Sequence, residues 1–155
     1  MPDTISDLYD TDYAGWSERQ AEALRRLARE HPELAYEIAL DVGHLIEEVE
    51  DMGRSTTTSV ETRLELLLMH LAKWRHQPER RGKSWRNTIR EQRRRIPRIL
   101  AKNPSLRPRL PAMLPEAWEE ARHGAADETD LDLSAFPEAC PFTIEQALDE
   151  GFWPD

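Results

Sequence analysis

The order of apolar and polar positions reads as helix along most of this chain and as strand nowhere. Trp16, Leu24, Leu27 and Ala28 share one side of a first helix, with Asp12 placed to cap its start. That helix should end near Glu30, because His31 precedes Pro32 and a residue before proline avoids the helical region. Leu34, Ile38, Val42, Leu45, Val49 and Met52 then recur at steps of three and four, which predicts a second helix over about 33–52. Gly53 reads as its stop or kink, and Ser55 to Ser59 as poor helix interior suited to a cap. A third helix is expected over about 55–76. It is apolar on almost every side between Leu64 and Leu71, so it should be central and buried.

After the Pro78–Gly82 loop, Ser84 offers a cap for a helix over about 85–102. Trp85, Ile89, Gln92, Ile96, Ile99 and Leu100 line one of its faces, and Pro97 should kink it. Prolines 104, 108, 111 and 115 make the next stretch irregular, with a short helix from Ser105 and a firmer one from Pro115 carrying Trp118 and Ala121. From about 130 the chain reads as an irregular tail held by Leu131, Leu133 and Phe136. Thr143 and Gln146 have the spacing of a capping box for a last short helix. The expectation is an all-α, irregular bundle of five to seven helices without β-sheet, forming one domain over 1–155.

Composition narrows the class further. At 155 residues the chain is long enough to bury a core without disulfide or metal. Its single cysteine, Cys140, forms no intramolecular disulfide. No apolar run approaches the length of a membrane span. The N-terminus lacks the basic-then-apolar order of a signal peptide. These features point to a reduced, soluble, cytoplasmic protein with no membrane partner.

Charge is the most informative global feature. The net charge is −9, yet residues 73–109 hold fourteen Lys and Arg against Glu79 and Glu91 alone. The remainder carries seven basic and twenty-eight acidic residues. Such asymmetry has three accounts: the two parts pair within the fold, they pair between subunits, or the basic part faces a polyanion.

Three constellations are candidates for chemistry. Arg86, Arg90, Arg94 and Arg98 stand at four-residue steps on one helix face, with Arg80, Arg81 and Lys83 in the loop before it. A surface of this kind neutralises phosphates. No zinc finger, RNA-binding signature or helix-turn-helix accompanies it, so nucleic acid is the less favoured partner. The plainer account pairs these arginines with Glu47, Glu48, Glu50 and Asp51, or with their counterparts in another copy. His44, Glu48 and Asp51 share a helical face, and His70 on the following helix would complete a metal site if the two helices were antiparallel neighbours. The plainer account there is a solvated acidic face and a core histidine. Trp74 and Trp85 flank the basic loop, placed either to stack on a base or to anchor the loop. Cys140 has no histidine nearby in sequence to activate it, no glycine-rich phosphate loop is visible, and no cofactor is implied.

The run Leu45-Ile46-Glu47-Glu48-Val49-Glu50-Asp51-Met52-Gly53-Arg54-Ser55 is followed by His70-Leu71-Ala72-Lys73-Trp74, Gln77-Pro78-Glu79-Arg80-Arg81 and Ser84-Trp85-Arg86. Thr88 to Arg93, Leu114-Pro115-Glu116-Ala117 and Phe136-Pro137-Glu138-Ala139-Cys140-Pro141 complete the succession. Together they resemble the bacterial domain-of-unknown-function family twenty-nine from about Tyr9 to Phe152. The resemblance implies a helical fold and brings no activity or catalytic residue with it. The function expected is therefore that of a non-enzymatic interaction protein that self-associates. A nucleic-acid-associated protein using the helix at 85–102 comes second, and a metal-binding helical protein third.

Overall fold

The computed structural model describes residues 4–155. Among them are seven α-helices and no strand: α1 Ile5–Thr11, α2 Tyr13–Glu30, α3 Leu34–Glu37, α4 Val42–His76, α5 Lys83–Lys102, α6 Leu110–Thr129 and α7 Ile144–Leu148. Three short 3₁₀ turns lie at Pro78–Arg80, Pro104–Arg109 and Leu133–Ala135. The all-α expectation holds. The single-domain expectation meets a finer division, since the chain forms two compact units. One comprises the chain up to Thr58 with Leu100–Leu106; the other comprises Ser59–Ile99 with Arg107–Asp155.

In the first unit, α1 opens on a capping box in which Thr4 and Asp7 satisfy each other's backbone N–H groups. Asp12 caps α2 by accepting the Gly15 N–H at 3.2 Å, as expected. The same carboxylate accepts the Ser105 hydroxyl at 2.8 Å, and Asn103 accepts the Ala14 N–H at 2.9 Å, which ties the 103–105 segment to the start of α2. Tyr9, Tyr13 and Trp16 form an aromatic cluster with centroids 4.9 to 5.9 Å apart. Small buried residues, Ala14, Ser17 and Ala21, make the inner stripe of α2. They let α4 come close: the Ser17 hydroxyl donates to the Val49 carbonyl, and Gly53 packs directly over Ser17.

Gly53 is thus neither a stop nor a kink. It is a point of close approach between α2 and α4, where a Cβ would meet Ser17, and α4 continues through it. The Ser-Thr run continues as helix too, with the Thr57 hydroxyl donating back to the Gly53 carbonyl at 3.3 Å. The helix expected over 33–52 instead breaks. α3 ends at Glu37, Ala39 adopts a left-handed conformation (φ 53), and Asp41 restarts the helix by accepting the His44 N–H. The two helices expected at 33–52 and 55–76 are therefore a single turn of helix followed by one long helix.

The second unit is built around the C-terminal half of α4. Val60, Leu64, Leu67, Leu68 and Leu71 are fully buried, as the apolar density of this stretch predicted. Ile89 and Ile96 of α5 join the same core. So do Ala117, Trp118, Ala121 and Ala125 of α6, and Phe136, Phe142 and Ala147 beyond it. Trp118 donates its indole N–H to the Pro137 carbonyl at 2.9 Å, fixing the segment after α6. α5 continues as helix through Pro97, and α6 begins at Leu110, earlier than expected, with Pro111 in its opening turn. The Thr143–Gln146 capping box is present and starts α7.

Candidate functional site: the arginine face of α5

The arginines of 80–98 divide into two groups that the sequence spacing does not distinguish. Arg93 and Arg81 turn inward. Arg93 is 2% exposed; its Nε donates to the Ala147 carbonyl at 2.8 Å and its Nη2 to the Gln146 carbonyl at 3.3 Å. It therefore caps the C-terminal end of α7, where unpaired carbonyls favour a cation. Burial pulls its pKa down, while Asp149 and Glu150 oppose that shift. Arg81 donates to the Trp74 carbonyl at 2.6 Å and to the Pro154 carbonyl at 3.2 Å. The two side chains hold the C-terminal segment, whose Trp153 ring lies 4.7 Å from Trp74 and 5.4 Å from the Arg93 guanidinium. Arg81 was expected on the exposed basic surface. The backbone carbonyls of residues 74 and 154 claim it instead.

Arg86, Arg90, Arg94 and Arg98 remain exposed along one side of α5, preceded by exposed Arg80 and Lys83. The Arg86 guanidinium lies over the Trp74 ring at 5.8 Å and that of Arg90 over the Trp153 ring at 6.0 Å, so each has an aromatic neighbour on one side. No carboxylate of this unit pairs with any of the four. Within α5, Arg95 pairs with Glu91 at 2.7 Å. In the first unit, Glu50 pairs with Arg25, and Asp51 with Arg54 at 2.9 Å. Trp74 is buried and Trp85 half-buried, with the Lys73 ammonium 4.8 Å from the Trp85 ring and paired to Glu128. Trp74 is therefore an anchor of the fold, with the Arg81 guanidinium also over its ring at 5.3 Å.

The same unit carries an acidic counterpart that spacing alone did not reveal. Glu61 and Glu65 on α4, with Glu116 and Glu120 on α6, line a groove of about 260 Å³ floored by Met113 and Ala117. None of the four carboxylates has a basic partner in this unit. Burial raises the Glu65 carboxyl above its ordinary range, and Glu120, Glu61 and Glu116 add to the rise in that order. The signal present in the sequence was a pair of Glu residues four apart on each of two helices; that these helices adjoin was not.

The metal arrangement does not form. His44, Glu48, Asp51 and His70 all stand on α4, one continuous helix, so the antiparallel pair that would have brought His70 back to the others is missing. His44 donates to Asp41 at 2.6 Å, and His70 donates Nδ1 to the Leu66 carbonyl of its own helix at 2.9 Å. Among the described residues no group of three or more His, Cys, Asp or Glu side chains converges on a common point. Cys140 donates its thiol to the Phe142 carbonyl at 3.3 Å, and burial pushes its pKa up, which removes thiolate character.

Residues 8–153 match the family described as domain of unknown function DUF29. The chain belongs to that family. A crystal structure described as that of an alpha-helical protein of unknown function from Rhodospirillum rubrum ATCC 11170 has the same fold at a TM-score of 0.69 and 25% identity. The alignment covers 93% of this chain and 90% of that one. No curated protein matches the sequence. Among the described residues no helix is long and apolar enough to cross a membrane.

Proposed function

We infer that this DUF29 chain is a non-enzymatic, cytoplasmic interaction protein that self-associates. In this reading, the exposed arginines of α5 in one copy enter the glutamate groove between α4 and α6 of another. One observation carries it: a single unit presents two faces of opposite charge, each without a partner inside that unit. Four arginines at four-residue steps line one face, and four glutamates line the other. Arginine suits the contact, because its planar fork grips a carboxylate in two places and its guanidinium is weakly hydrated. The Glu65 carboxyl is raised first by burial and then by the neighbouring Glu120, Glu61 and Glu116, and a guanidinium placed among these carboxylates would offset that repulsion. The two faces differ, so the contact is heterologous and closes into a ring or runs on as a chain of copies.

The test is sedimentation velocity at low and at high salt, with charge exchange. Arg90→Glu with Arg94→Glu should give monomers. Glu116→Arg with Glu120→Arg should do the same, and mixing the two variants should restore association. A wild-type chain that stays monomeric at low salt refutes the reading. A second reading, nucleic-acid binding, draws on the same four exposed arginines. It predicts a salt-dependent rise in anisotropy of labelled DNA or RNA that Arg90→Glu abolishes and the groove variants leave intact.

A further inference from the structure

The large exposed apolar side chains of the described residues all lie in the first unit: Ile5, Tyr9, Tyr36, Ile38, Leu45 and Met52. Tyr36 is 89% exposed and Ile38 64%, extreme values for residues of their size. They belong to the segment that walls an open cleft of about 540 Å³, lined chiefly by Ala28, Pro32, Ala35, Ala39, Leu40 and Val42. Leu45 and Met52 continue the apolar surface along α4, about two turns apart on one helical face. An apolar cleft flanked by exposed aromatic and aliphatic side chains marks an interaction site in a water-soluble protein.

Charge decides what fits it. Residues 30–52 hold eight acids and no Lys or Arg. Of these, Glu30 pairs with Arg26 and Glu50 with Arg25, while Glu33 and Asp41 hold only His31 and His44. A second copy presenting the same face would oppose acid with acid. An anionic bilayer or a nucleic acid meets the same repulsion. The α5 face of a second copy brings charge but nothing to fill a cleft, because Ile89, Ile96 and Leu100 are buried and its exposed residues are polar or small.

We propose that the cleft walled by α2, α3 and the start of α4 is a docking surface for a cationic amphipathic helix of a partner protein. The apolar stripe of that helix seats in the cleft on Pro32, Ala35 and Leu40 and extends over the exposed Tyr36 and Ile38 of the same segment, and its Lys and Arg residues face the surrounding carboxylates. This surface is separate from the arginine face and the glutamate groove.

The experiment uses the full chain and two labelled synthetic peptides of about fifteen residues with one Leu, Trp and Lys composition. One peptide spaces its apolar residues on a single helical face; the other is scrambled so that no face forms. Fluorescence anisotropy should show the amphipathic peptide binding at least about tenfold more tightly than the scrambled one. Ile38→Asp should weaken binding by at least about tenfold with the circular dichroism unchanged, since the side chain is mostly exposed. Glu116→Gln with Glu120→Gln should leave binding intact. Equal affinity for both peptides, or an unchanged Kd in Ile38→Asp, overturns the proposal. So does Ile38→Asp converting a peptide-free oligomer into monomers, which would assign the cleft to a second copy.

Discussion

Replacing Gly53 by Ala sets two magnitudes against each other. In a helix interior the substitution gains about 1 kcal/mol from propensity alone. At this position the new Cβ would lie 2.8 Å from Ser17 Oγ and 3.1 Å from Ser17 Cβ. Rotation of Ser17 relieves the first contact but not the second, because Cβ moves only with its helix. Overpacking of this kind costs about 1–3 kcal/mol. Moving Oγ away from the Val49 carbonyl leaves a buried hydroxyl unpaired for about 1–3 kcal/mol more. The net expectation is destabilisation by about 1–5 kcal/mol, read from urea denaturation followed by circular dichroism with an unchanged m value. Ser17→Ala should be harmful in the wild-type background and less harmful, or helpful, beside Gly53→Ala, because it removes the nearer atom of the clash. Stabilisation by about 1 kcal/mol in Gly53→Ala, with no coupling to Ser17, would refute the close-approach reasoning.

Other outcomes follow from the same geometry. Arg93→Met keeps the apolar stem but leaves the Ala147 carbonyl without its donor and the Gln146 carbonyl with the Asp149 N–H alone, at about 1–3 kcal/mol; limited proteolysis should then cut first near the C-terminal segment, and Arg93→Lys should recover little of the loss. Burial depresses the His70 pKa, so the unfolded chain takes up a proton near pH 6.5, where the folded chain does not. Stability should be level above about pH 7 and fall as pH drops through about 6.5, and His70→Gln should flatten that fall in chemical denaturation at several pH values. His44 is shifted upward by Asp41 and works in the opposite sense, but it is fully exposed and contributes little. Ala39→Gly relieves a left-handed alanine that costs about 1–2 kcal/mol and gives back about 0.4–1 kcal/mol in unfolded-state entropy, so a small rise in thermal midpoint is expected.

What could be read in the sequence was local. Asp12 as a cap, the Thr143–Gln146 box, the helix end at His31 and the burial of Leu64, Leu67, Leu68 and Leu71 each depend on residues within a turn or two of one another, and each is present, while Leu66 and Met69 stay half-buried. The Thr4–Asp7 box of α1 was equally local and was passed over. Gly53 was misread because its meaning lies in Ser17 of another helix, which no window around residue 53 contains. The periodic run from Leu34 to Met52 misled for a related reason. It is continuous as a pattern, but Asp41 offers the backbone a fresh start and leaves Ile38 in solvent.

The candidate surface divides in the same way. The four-residue spacing of Arg86, Arg90, Arg94 and Arg98 placed them on one side of α5 correctly. Arg81 and Arg93 were sorted inward by carbonyls of residues 146, 147 and 154, far along the chain. The glutamate groove needed the adjacency of α4 and α6. The metal arrangement failed on a single assumption, that the chain turned back between His44 and His70.

The central claim is that the arginine face and the glutamate groove bind one another between copies. Sedimentation velocity of the wild-type chain and of the Arg90→Glu, Arg94→Glu variant, at low salt and then at several times the ionic strength, tests it most directly. The account predicts a wild-type oligomer at low salt that falls to monomers as salt rises, beside a variant that is monomeric throughout. A wild-type monomer at every salt concentration, or an oligomer that the two substitutions leave whole, would contradict it.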